Sequence, residues 1–182
     1  AMHNYHDAYR HLPNDISSSD GKPLLSWRVA ILPFIEAAPL YEQFHLDEPW
    51  DSPHNLPLAQ EMPAIYLNPG VVTAPGMTVY QRPTGENCIM SGTNEIGFRD
   101  VTDGTSNTIL AVETVGEAAV PWTKPADLEM NSDNPLAGLV EGTRQGFNAA
   151  FGDGAVRFIA NSIDPEVFQA MLTRDGGEVI RP

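Results

Sequence analysis

Residues 146–159, Gly146-Phe-Asn-Ala-Ala-Phe-Gly-Asp153-Gly154-Ala-Val-Arg-Phe-Ile159, decide how the chain is read. Aromatic and β-branched residues alternate with small or polar ones on both sides of Asp-Gly, the strongest short-range signal for a β-hairpin. A two-residue type I′ turn at Asp153-Gly154 would pair Gly152 with Ala155, Phe151 with Val156 and Ala149 with Phe158. That register puts Phe147, Ala149, Phe151, Val156 and Phe158 on one face, so turn chemistry and hydrophobic pattern agree. Asp153 and Gly154 are thereby read as a structural motif.

Outward from the hairpin, residues 78–81 and 108–113 are also short runs of β-forming residues between turn signals, and 64–67 reads the same way. After the hairpin, Asp164-Pro165 opens a final helix to about Leu172, with Ile163 and Phe168 at hydrophobic-staple spacing. The first third reads as helical. Met2, Tyr5, Ala8, Tyr9 and Leu12 form an amphipathic stripe already in progress at residue 1, which suggests a remnant, residues 1–12, of a longer helix. Ser26 is an N-cap for a helix to about Ala37, kinked by Pro33. Pro39 begins a further short turn, and Asp51-Ser52-Pro53 begins another helix ending before Pro63. These readings give an α+β fold in one domain, residues 1–182, with a helical N-terminal third packed on an antiparallel β-sheet.

The chain has 182 residues, 10 Lys+Arg against 24 Asp+Glu, and a net charge of −14. Such a charge repels phosphate backbones and excludes nucleic acid as a partner, while suiting cations or basic partners. One cysteine, Cys88, excludes an internal disulfide framework and a cysteine zinc finger. Nucleophile elbows, phosphate-binding glycine loops and His-Glu-x-x-His helices are absent. Ser19-x-x-Lys22 and Ser132-Asp133-Asn134 mimic two signatures of penicillin-recognising enzymes, but Asp20-Gly21 makes the first a turn. The chain is therefore read as no enzyme. His3-x-x-His6 has the spacing of two metal ligands without a third. Asp100, Asp103 and Asn107 lie in a tight loop before a strand and offer the oxygen ligands calcium takes, although Asx-turns use the same letters.

Several blocks in order carry a resemblance to a known family. They are His3-Asn-Tyr-His-Asp7, Gly21-Lys-Pro-Leu-Leu-Ser-Trp-Arg-Val29, residues 41–55, Asp103-Gly-Thr-Ser-Asn-Thr108, Pro121-Trp-Thr-Lys-Pro125, residues 151–159, and Gly176-Gly-Glu-Val-Ile180. Together they resemble a large bacterial prepilin-like family of uncharacterised function, whose C-terminal signature is a His, nine residues, then Asp-Gly. Here Asp153-Gly154 matches while the position of the His holds Thr143, so no role of that His carries over. Asn68-Pro69 likewise stands where the family often has Cys-Pro.

The resemblance implies a type IV pilin- or pseudopilin-like head, anchored in the membrane through an N-terminal helix upstream of Ala1. It also implies an extracytoplasmic place in the cell envelope, a link to type II secretion, and other pilin-like subunits or assembly machinery as partners. Because major pseudopilins order a loop with calcium, it makes Asp100, Asp103 and Asn107 the calcium loop to test. The alternative expectation is an extracytoplasmic binding module for a glycan, peptide or metal ion, with Trp27, Trp50 and Trp122 as surface stackers, although core packing is the favoured reading of these three.

Overall fold

Proline and capping residues cut the N-terminal third into short pieces. The computed structural model describes residues 1–85, 87–90 and 95–177, so residues 178–180 of the Gly176 block lie outside the described residues. Helix α1 (Met2–Tyr9) ends where Arg10 takes a left-handed φ of 68°. The stripe expected to continue to Leu12 therefore divides. Met2 and Tyr5 pack against the core, Tyr9 is exposed, and Leu12 reaches the core from beyond the helix. Strands β1 (Ile16–Ser17) and β2 (Pro23–Leu25) pair antiparallel.

Ser26 caps α2 (Trp27–Ala30), its hydroxyl accepting the Arg28 N–H at 3.2 Å. The helix expected to reach Ala37 stops at Ala30. Pro33 has no N–H to give, the next turn is 3₁₀ (Leu32–Ile35), and Glu36 at φ 62° ends it. Pro39 lies in the first turn of α3 (Ala38–Tyr41), as expected. No helix starts at Asp51. Ser52 Oγ instead accepts the Asn55 N–H at 3.0 Å, and a 3₁₀ segment follows at Leu56–Glu61. Residues 64–67, expected as a strand, contain a 3₁₀ turn (Ala64–Tyr66), because the Tyr66 hydroxyl is drawn inward to donate to the Arg28 carbonyl at 2.8 Å.

The strands that follow are β3 (Met77–Thr78), β4 (Tyr80–Gln81), β5 (Pro83–Thr84), β6 (Ile109–Glu113), β7 (Val120–Pro121), β8 (Leu128–Glu129), β9 (Gly146–Phe151) and β10 (Val156–Ala160). The expected α+β architecture is present, with a four-stranded antiparallel sheet in the order β10-β9-β6-β4. The strand expected over 78–81 is split at Val79. Thr78 pairs with Val120, whereas Tyr80 pairs with Glu113. β5 and β8 form a parallel pair that no sequence signal announced. Helix α4 (Pro165–Ala170) is capped by Asp164, which accepts from Glu166 N at 2.8 Å, and Ile163 and Phe168 share one apolar cluster as the staple requires. No helix among the described residues is long and apolar enough to cross a membrane.

The hairpin forms, but one residue out of the expected register. Val156 faces Ala150 and Phe158 faces Asn148, rather than Phe151 and Ala149. The loop is Gly152-Asp153-Gly154. Gly154 N–H donates to the Phe151 carbonyl at 2.9 Å, Gly154 has φ 87°, and Phe151 N–H donates to the Ala155 carbonyl at 2.9 Å. This is a type I turn closed by a G1 bulge, for which only Gly154 needs positive φ. A one-residue slip exchanges the faces of β10. Phe147, Ala149, Phe151 and Ile159 are buried against Phe168 and Leu172, whereas Val156 and Phe158 stand 68% and 59% exposed on the opposite face.

Two glycines of this hairpin are fixed by geometry. Gly154→Val forces a β-branched residue into the left-handed region, at a cost of about 1–2 kcal/mol. A Cβ at Gly146 would lie 2.0 Å from the Ile159 carbonyl oxygen, so Gly146→Ala must part the ladder. In thermal denaturation both variants are expected to melt below the wild type, Gly146→Ala lowest. An unchanged melting temperature for Gly154→Val would contradict the bulge.

Candidate functional site

The least expected constellation is a buried ionic cluster. Trp27 and Arg28 follow the Ser26 cap, Arg82 separates β4 from β5, Asp127 precedes β8, and Asp15 precedes β1. Asp127 sits 2.5 Å from Arg28 Nη2 and 3.0 Å from Arg82 Nε, while Asp15 pairs with Arg82 Nη2 at 2.5 Å. Arg28 Nη1 donates to Ser26 Oγ at 2.8 Å and Nε to the Tyr80 carbonyl at 2.9 Å. The Trp27 indole N–H also points to Asp127 at 3.1 Å, and the Trp27 backbone N–H to Asp15 at 2.9 Å. The Arg28 and Asp127 side chains are 0% and 1% exposed. Two guanidinium groups meet two carboxylates, so the formal charges of the cluster cancel. Sequence reading missed Asp15, Arg82 and Asp127. The one available signal was Arg82, a charged residue directly after the strand-forming run 78–81.

The second constellation is a corner where four of the sequence blocks meet. Asp103 and Asn107 are brought together, the Asn107 amide donating to the Asp103 carbonyl at 2.9 Å. Asp103 Oδ2 and Oδ1 accept the backbone N–H groups of Gly176 and Gly177 at 2.7 and 2.9 Å. Asp100 points elsewhere and accepts the Gly97 N–H at 2.8 Å. The Thr105 and Thr108 carbonyls hold Asp153 N–H at 3.0 Å and Gly152 N–H at 2.9 Å. Arg157 Nη1 reaches the Ser106 carbonyl at 2.7 Å, and the His3 ring N–H donates to the Gly152 carbonyl at 2.8 Å. Asp153 Oδ1 accepts Ala155 N–H at 2.9 Å, an Asx-turn inside the hairpin loop. His6 does not join His3 around a common point. Its Nε2 accepts the Phe98 N–H at 3.3 Å. Among the described residues no three His, Cys, Asp or Glu side chains are placed to hold a metal ion.

Of the three tryptophans, Trp27 and Trp122 are 3% and 0% exposed and belong to the core. Only Trp50 is half-buried, with Lys124 Nζ 5.5 Å from its ring centre. Cys88 is buried, and burial pushes its thiol up to about 11. A cleft of about 370 Å³ lies over the sheet face opposite α4. Ile31, Ile35, Ile65, Tyr80, Ala150 and Val156 line it together with Ala1 and Met2. At its polar end Glu113 accepts from Arg144 and from Asn148, the latter at 2.7 Å.

Residues 1–72 and 68–143 match the model of a family described as protein of unknown function, DUF1559. The chain belongs to the DUF1559 family. No curated protein and no solved structure matches it. The DUF1559 match takes in the Asp103 loop, Asp15, Arg28, Arg82 and Asp127, so the ionic cluster lies wholly within it. The hairpin and α4 lie beyond the matched residues.

Removing one partner of a buried ion pair leaves the other uncompensated, at about 3–5 kcal/mol. Asp127→Ala is therefore expected to lower stability by about that amount in urea denaturation, far more than Glu117→Ala on the surface. Asp15 behaves differently with pH. Burial, outweighing the Arg82 charge, raises its carboxyl above the ordinary value of 3.8. Its contribution is therefore full when it is protonated and declines as pH rises through the raised value. Asp15→Asn is accordingly expected to cost less stability at pH 7 than at pH 3.5. An equal cost at both would contradict the assignment.

Proposed function

We propose that this DUF1559 chain is the extracytoplasmic head of a pilin- or pseudopilin-like subunit of the bacterial envelope, non-enzymatic and tied to type II secretion or a related assembly. The carrying observation is the apolar cleft beside α1. A sheet face bearing Ala150 and Val156 shares this cleft with Ala1 and Met2, so a helix continued upstream of Ala1 would set out from its lining. Exposed Val156 and Phe158 extend the same face, and contiguous apolar surface of this kind marks an interaction site. The block resemblance supports the same arrangement, with other pilin-like subunits as partners and the membrane reached through the upstream helix.

The hydrogen bonds already described bear on this reading. His3, Asp103, Asp153 and Arg157 are all engaged in holding loops together, which suits a subunit that works by shape. Calcium enters the proposal through Asp103. An ion there would take the two oxygens that now hold Gly176 and Gly177, so clasp and ion are alternatives. Asp103→Asn lowers the melting temperature in either case, and only an ion makes the wild type melt higher when calcium is added.

The deciding experiment is to read the native gene upstream of residue 1 and to fractionate cells expressing its full product. Roughly 20 apolar residues with an acidic residue near their start, behind a short basic leader, are expected, together with the product in the membrane fraction. A polar, leaderless extension would overturn the reading.

A further inference from the structure

A cavity of about 500 Å³ lies on the other side of the molecule from the cleft, between α4, the 130–135 loop and the residues Gly85, Asn87 and Cys88. Cys88, Met130 and Leu172 give it an apolar wall, and Ser132, Glu166 and Gln169 a polar one. Among the described residues Glu166 is the only charged side chain in the lining, and it takes part in no ion pair with any of them. Glu166 and Gln169 are i and i+3 on α4 and so share a face. The Gln169 amide N–H is spent on the Ser132 carbonyl at 2.9 Å, which leaves its Oε1 as an acceptor. Behind the apolar wall, Arg174 Nη1 donates to the Cys88 carbonyl at 3.1 Å and its Nη2 faces Asp175 at 3.7 Å. The polar wall therefore offers a free carboxylate and a free amide oxygen above an apolar surface, in a chain of net charge −14.

We propose that this cavity binds a primary ammonium on a linear alkyl stem, the chemistry shared by a lysine side chain and a short diamine. The stem lies on Cys88, Met130 and Leu172, and the ammonium donates to the Glu166 carboxylate and to Gln169 Oε1. Overall negative charge raises the local concentration of such a cation, and the unpaired Glu166 selects where it settles.

Saturation-transfer NMR tests this with 1,5-diaminopentane, Nα-acetyl-lysine N-methylamide and, as a neutral stem, pentan-1-ol. The wild type is compared with Glu166→Gln and with Glu117→Gln, an exposed acid elsewhere, each checked by its melting temperature. Saturable binding of an ammonium ligand is expected, weakened about tenfold or more in Glu166→Gln and unchanged in Glu117→Gln, with pentan-1-ol weaker than either amine. Preference for the lysine derivative identifies a basic protein partner as the source, and preference for the diamine a free metabolite. Failure of both amines to bind, or equal binding to Glu166→Gln, overturns the proposal.

Discussion

Asp127 is the constraint on which the rest depends. Its carboxylate draws Arg28 out of the helical third and Arg82 out of the strands, and Arg82 in turn holds Asp15. Three chain segments far apart in sequence are thereby tied within the buried interior, where a misplaced charge is costly. Apolar burial alone would tolerate sliding of short helices over the sheet. The planar guanidinium groups tolerate far less, because each must meet its carboxylate in one geometry. The elements held in this way are very short, with α2 and α3 only four residues each, so side-chain polar bonding supplies order that helix length does not.

The register of the β9–β10 hairpin shows a second economy. Alternation predicts one buried face on both strands, but β10 turns Val156 and Phe158 outward. The cause lies outside the hairpin. Gly152 and Asp153 are held by the Thr108 and Thr105 carbonyls, and a Cβ at Gly152 would lie only 3.0 Å from the Thr105 carbonyl oxygen. The loop is thus seated on the Asp103 segment, and the three-residue bulge that this seating accompanies sets the slip. The sheet is left with two usable faces, one closed by α4 and one open beside α1.

Much of the fold was legible in particular residues. Ser26 and Asp164 mark helix starts because their side chains accept backbone N–H groups, and both do so here. Gly146–Phe151 and the α+β class followed from strand periodicity. What was not legible was set by distant partners. The 64–67 run looks like a strand, yet the Tyr66 hydroxyl finds the Arg28 carbonyl and bends it into a turn. Asp15 and Asp127 sit in no motif, and nothing local announces that each is aimed at an arginine more than forty residues away. For the candidate site, the Asp103–Asn107 loop and the Asp153-Gly154 turn were both marked, but not that they touch. The cavity beside α4 was invisible, since its walls come from three separated segments.

The buried thiol of Cys88 has a practical consequence. With its ionisation pushed up to about 11, roughly one molecule in ten thousand carries the thiolate at pH 7. Cys88 borders the cavity but is only 5% exposed, so a sulfhydryl reagent reacts appreciably only when its immediate surroundings open. Because the sequence has a single cysteine, the labelling rate becomes a one-site clock for that opening, readable without introducing any probe. The same property keeps the chain from cross-linking to its neighbours in oxidising surroundings while it stays folded.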